Sequence, residues 1–184
     1  LTVCLKLIAR IMDLYILRHG DAGPHLSSKT DDKNRSLTSL GKEEITDVAR
    51  ALKKIGVKID VIFSSPLKRA YESAVIVSKI LKIKGKVKVL EDLAPEGKRL
   101  IVYQQISKQK EESVILIVGH EPQLGEIINE IIHKDKRNLS NLELKKGGIA
   151  RLRMLSLKEV PFGELRWLMS PDLLRKTNKK VPKS

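Results

Sequence analysis

Apolar positions along the 184-residue chain change their period from one segment to the next, and the changes read as alternating strands and helices. Asp13–Leu17 and Val61–Phe63 are short apolar runs. Val114–Val118 is an unbroken β-branched run, as expected of a central parallel strand covered on both faces. Helical periods lie between them. Ile45, Val48, Ala49 and Leu52 fall at i, i+3, i+4 and i+7, after Thr38 as a candidate N-cap and before Gly56 as a stop. Leu67, Ala70, Ala74, Val77 and Leu81 form a second stripe, and Leu124, Ile127, Ile128 and Ile131 another. Val87–Leu90 reads as a strand ahead of a weaker helical stretch over Gly97–Lys108. Gly148–Leu155 and Glu164–Met169 read as two late antiparallel strands joined by a turn at Pro161-Phe162-Gly163. The alternation predicts an α/β fold: a three-layer α/β/α sandwich around a mostly parallel sheet.

Three parts follow. Residues 1–11 are expected to be an N-terminal extension, with the domain beginning near Met12; Leu at position 1 fits a non-standard or misplaced start. Residues 12–171 make one domain, and the basic residues 172–184 are expected to be a frayed tail.

Composition narrows the partners. The net charge of +14 is densest at Lys82, Lys84, Lys86 and Lys88 and again in the tail. Aromatic residues are only 3% of the chain, too few for a base-stacking platform, and zinc-finger spacing is absent, so nucleic acid is not the expected partner. A positive field of this kind also draws in anionic substrates. No apolar run approaches the roughly 18 residues of a spanning helix. With Cys4 the one cysteine, an internal disulfide framework and a cysteine-based zinc site are excluded, and a reducing cytoplasm is the simplest compartment.

Ligands of open α/β sheets bind beyond the carboxyl ends of the strands. Three polar segments are predicted there: Arg18-His19-Gly20-Asp21-Ala22, Ser64-Ser65-Pro66-Leu67-Lys68-Arg69-Ala70 and Gly119-His120-Glu121-Pro122. Ser65-Pro66 and Pro122 are placed as helix starts, which puts Arg69 in a first helical turn. Two arginines, two histidines and a helix N-terminus then converge on one crevice suited to a tetrahedral dianion. A lone histidine at a strand end is more often a structural residue; the ordered set of three segments carries the signal.

These segments, with Leu37-Thr38-Ser39-Leu40-Gly41, resemble the histidine phosphatase (phosphoglycerate mutase-like) superfamily from Met12 to about Pro171. The compact length, Arg18-His19-Gly20-Asp21-Ala22 and Met169-Ser170-Pro171 resemble most its short, SixA-like phosphohistidine phosphatase branch. The resemblance implies a metal-independent, cofactor-free phosphatase in which His19 is the nucleophile and forms a phosphohistidine. It implies that Arg18, Arg69 and His120 bind the phosphoryl group, His120 better as an imidazolium beside the dianion. Arg35 is a candidate further phosphate ligand. Glu96 is a candidate general acid; its other reading is a solvent-facing glutamate at a helix start. Asp21 is expected to orient a loop or a water, and the polar loop from Gly23 to Ser36 to gate the site or simply move. His25 and His133 are expected on the surface. The expected partner is a phosphorylated substrate, either a protein phosphohistidine or a small molecule. A general small-molecule phosphomonoesterase or mutase, and a non-catalytic phosphate-recognising module, are the competing readings. Oligomeric state is left open.

Overall fold

The computed structural model describes residues 12–85, 87–133, 142–156 and 161–178. The expected extension, Lys86 and the last six residues of the basic tail lie outside them.

Six strands form one sheet: β1 (Met12–Arg18), β2 (Val61–Ser64), β3 (Lys88–Val89), β4 (Val114–Gly119), β5 (Ile149–Ser156) and β6 (Phe162–Met169). Their order is β3-β2-β4-β1-β5-β6. The first four run parallel, β5 is antiparallel to β1, and β6 is antiparallel to β5. The helices are α1 (Lys29–Lys33), α2 (Ser39–Lys54), α3 (Lys68–Leu81), α4 (Arg99–Ser107), α5 (Gln123–Ile132) and α6 (Pro171–Asn178), with a 3₁₀ turn at Glu91–Leu93.

Strand pleating explains why the central runs are apolar throughout. Leu14, Ile16, Ile115 and Ile117 point to one face and pack with α4 and α5 through Val102, Ile106, Leu124 and Ile128. Tyr15, Leu17, Leu116 and Val118 point to the other and meet α2, α3 and α6 through Val48, Leu52, Ala74 and Leu174. Every residue named in these two layers is buried. The result is the expected α/β/α sandwich.

Local signals fix most of the ends. Thr38 caps α2 by accepting from the Gly41 N–H at 3.0 Å, and Gly56, at φ +74°, takes the left-handed turn after it.

Four boundaries differ from the sequence reading. Leu67, not Ser65, is the N-cap of α3; the Ser65 side chain instead accepts from the Leu67 N–H ahead of the helix. Pro122 caps α5 rather than opening it. The segment read as a turn at Pro161-Phe162-Gly163 belongs largely to β6, because Phe162 and Gly163 pair with Ser156 and Met154. The tail expected to fray from Asp172 is helical to Asn178: Leu174 is buried against α2, and Arg175 Nε reaches Asp47 Oδ2 at 2.9 Å.

Candidate active site

Parallel pairing brings three strand ends to one edge. The register Arg18↔Gly119 is continued by the His19 N–H, which donates to the Gly119 carbonyl at 3.2 Å. The Ser65 N–H donates to the Val118 carbonyl at 2.9 Å. His19, Ser65 and His120 therefore follow three adjacent strands, β1, β2 and β4. The turn after His19 needs glycine for space: a Cβ on Gly20 would stand 2.5 Å from the carbonyl oxygen of Gly41 at the start of α2.

His19 is buried, and both of its ring nitrogens are committed. Nδ1 lies 2.7 Å from the Gly20 carbonyl, which can only accept, so Nδ1 carries the proton. Nε2 is then a lone pair, and it accepts from Arg69 Nε at 3.3 Å. Burial first, and then the positive charges of Arg69, Arg18 and Arg35, lower the His19 pKa to about 4 despite the opposing Gly20 bond. At neutral pH this ring is an uncharged imidazole with Nε2 unprotonated.

The His120 ring stands 4.9 Å from the His19 ring, centroid to centroid, tilted by 55°. Its Nε2 is 2.9 Å from Ser65 Oγ, and its Nδ1 is buried without a partner among the described residues. Burial, then His19, Arg69 and Arg18, lower its pKa to about 2. In the unliganded site burial and the surrounding positive charges make His120 neutral; the imidazolium is the expectation for the ring beside a bound dianion. It can donate only through the nitrogen that carries its single proton.

The arginines are anchored from behind. Arg18 Nη1 donates to the Leu144 carbonyl at 2.6 Å and to Glu143 Oε1 at 3.1 Å. Glu121 holds that segment by accepting from the Leu144 N–H at 2.9 Å. Arg69 lies in the first turn of α3, as predicted, and its Nη1 donates to the Asp32 carbonyl at 2.8 Å. Arg35, predicted as an additional ligand, is buried close by, with Nη1 on the Ala22 and Gly23 carbonyls at 3.0 and 2.8 Å. After burial, which is the larger cause at both groups, its charge helps to lower the pKa values of His19 and Arg69.

Asp32 was not anticipated from sequence. Within the long polar loop, α1 places its carboxylate 3.0 Å from Arg35 Nε and 3.4 Å from Arg69 Nη1. Burial pushes Asp32 up, but the Leu26 N–H bond and the two guanidiniums outweigh it and bring its pKa to about 2. The loop is therefore tied to the site through the same arginines that face the histidines. The i,i+3 spacing of Asp32 and Arg35 was the available signal, but Arg69 lies far away in sequence.

The pattern of the histidine phosphatase superfamily (branch 1) covers residues 14–94. The phosphohistidine phosphatase SixA homolog of Haemophilus influenzae is 32% identical over 132 residues, 67% of this chain and 79% of the relative. The chain belongs to the histidine phosphatase superfamily. It is a phosphatase-type hydrolase of SixA-like sequence and fold. The Escherichia coli phosphohistidine phosphatase SixA is 28% identical over 166 residues, 89% of this chain and 97% of that protein. A solved structure of the protein histidine phosphatase SixA with tungstate superposes at a TM-score of 0.76, with 26% identity, covering 89% of this chain and 99% of that one.

Other expectations fare differently in this histidine phosphatase. Glu96 is exposed in the turn before α4 and makes no hydrogen bond or ion pair to His19, Arg18, Arg69, Arg35 or His120. The turn itself is held at the start of α5, where Gln123 Nε2 donates to the Asp92 and Gly97 carbonyls at 2.7 and 3.0 Å. Asp21 is a clasp: it accepts from Thr38 Oγ1 at 2.9 Å, Gly23 N at 3.1 Å and Lys146 Nζ at 2.7 Å. The Lys146 bond is the main reason its pKa falls to about 2. His25 is exposed and touches Asp32 Oδ1 at 3.2 Å; His133, expected on the surface, is half-buried at the end of α5. Among the described residues no cluster of His, Cys, Asp and Glu could hold a metal, and no helix is long and apolar enough to cross a membrane.

Proposed function

We propose that this phosphatase acts on phosphohistidine or a related phosphoramidate through a covalent phosphohistidine on His19. The observation that carries this reading is the state of His19: a neutral ring whose Nδ1–H is spent on Gly20 and whose Nε2 lone pair lies beside Arg69. The Nε2 lone pair attacks phosphorus. The bond from phosphorus to the leaving nitrogen breaks, and its electron pair goes to that nitrogen. Water then attacks phosphorus, the P–Nε2 bond breaks with its electron pair returning to Nε2, and the water's protons leave on the released phosphate or to solvent. The sequence of steps uses no metal and no cofactor.

Phosphoryl transfer demands positioning and charge stabilisation more than covalent help from acids. The guanidiniums of Arg18, Arg69 and Arg35 lie around the histidines, so an incoming dianion meets donors already in place. His120 adds one neutral donor.

The leaving group decides the substrate class. An alkoxide needs a proton on its oxygen, and Asp32, the one carboxylate ion-paired to Arg69 and Arg35 among the described residues, is ionised above pH 2 or so. An imidazole leaving group can take its proton from water on its far nitrogen. Because the carboxylate held between Arg69 and Arg35 cannot supply that proton, the site is matched to a P–N bond. The relatives named as phosphohistidine phosphatases support the same choice.

Turnover of a phosphohistidine peptide and of an alkyl phosphate should be compared at pH 7. The P–N substrate is expected to exceed the P–O substrate by at least a hundredfold in kcat/KM. Equal values, or a preference for the ester, would favour the phosphomonoesterase reading.

A further inference from the structure

We infer that Ser65 is a positioning residue: its hydroxyl donates to Nε2 of His120 and thereby holds that imidazole in the tautomer that presents an N–H to the phosphoryl oxygens. This rests on the proposed role of His120 as a phosphate ligand.

The argument is an account of one proton. Ser65 is fully buried, so water does not share its hydroxyl. Oγ has two partners. One is the Leu67 N–H, at 3.2 Å, which donates to it and cannot receive. The other is His120 Nε2, at 2.9 Å. The hydroxyl has one proton to give and one place to put it. Nε2 then carries a lone pair, and the proton of the neutral ring sits on Nδ1.

The opposite tautomer fails twice. If Nε2 carried the proton and donated to Ser65, the serine hydroxyl would have no acceptor in a dry interior. The ring would also have no N–H left to offer a phosphoryl oxygen. In the assigned tautomer the one unsatisfied group is the buried Nδ1–H of His120. A buried donor without a partner is costly, and a phosphoryl oxygen relieves it.

The two histidines then share one tautomer with opposite outcomes. His19 is fixed by the Gly20 carbonyl at Nδ1 and keeps a lone pair at Nε2. His120 is fixed by Ser65 at Nε2 and keeps a proton at Nδ1. One ring attacks while the other donates, and neither needs to be charged.

The test is a long-range ¹H–¹⁵N correlation spectrum of the full chain labelled in histidine, at pH 7, with and without vanadate. The His120 signals are identified by their loss in His120→Asn. The expected spectrum shows His120 protonated on Nδ1, with the Nδ1 resonance shifting when vanadate binds. Ser65→Ala should populate the Nε2–H form and lower kcat on a phosphohistidine peptide roughly tenfold, the size of one lost orienting hydrogen bond. Ser65→Thr, which keeps the hydroxyl, should restore both. An Nε2–H ring in the unaltered protein overturns the assignment, and this arm stands even where Ser65→Ala does not fold. A changed tautomer with unchanged kcat overturns the positioning role. An Nδ1–H ring in a protein that turns over no phosphoryl donor upholds the tautomer and removes the catalytic reading beneath it.

Discussion

At the scale of single residues the account concerns where two protons sit. An ordinary histidine is half protonated near pH 6.5, and a protonated His19 has no lone pair to offer. Here burial and three guanidiniums bring the pKa of His19 to about 4. The acid limb of kcat/KM, corrected for ionisation of the substrate, should therefore lie near pH 4 and leave the rate level between pH 5 and 7. A limb near pH 6.5 would mean that the arginines do not act on His19 as described. The motif residues were readable because each stands next to a predicted strand end. Asp32 was not, since its meaning depends on a loop folding back over α3. The neutral state of His120 in the unliganded site was out of reach for a related reason: sequence shows which cations exist but not that they share a buried pocket with the ring.

Elements bring these residues together. The parallel register of β1, β4 and β2 delivers their carboxyl ends side by side, so three segments separated by about fifty residues each become one site. Strand and helix periods were legible because the sheet is covered on both faces and the helices are amphipathic. Short elements were harder. The strand expected over Val87–Leu90 is a two-residue edge at Lys88–Val89, both exposed, where no burial enforces a pattern. Helix α6 was missed because its charges dominate a segment in which, among the residues whose burial is described, Leu174 and Pro171 are the buried ones. That single leucine, packed on α2, should hold the element. Leu174→Ala is expected to cost about 2–3 kcal/mol, read as a lower denaturant midpoint, while kcat stays within twofold. A loss below about 0.5 kcal/mol would show that α6 contributes little to the fold.

For the whole molecule, the same electrostatics that prepare the site oppose folding in acid. His19 and His120 have folded pKa values of about 4 and about 2, below the ordinary 6.5. Between pH 6.5 and 4 the unfolded chain binds protons that the folded chain refuses, so stability falls as pH falls. The limit is about 1.4 kcal/mol per pH unit for each ring. Asp21 and Asp32, both depressed to about 2, act in the same direction below about pH 4. Glu44 and Glu121, raised by burial, act in the opposite direction. Comparison with His120→Asn isolates the ring, since the other groups are common to both chains. The unaltered protein should lose more stability than the variant between pH 7.5 and 5, and equal losses would contradict the buried neutral histidine.

The central claim is a covalent bond at one nitrogen. The protein should be mixed with a ³²P-labelled phosphoramidate, quenched in base within milliseconds, and the label mapped by peptide. The account predicts a base-stable, acid-labile phosphate on His19, absent from His19→Ala. No labelled enzyme under single-turnover conditions, or label that persists in His19→Ala, would contradict it.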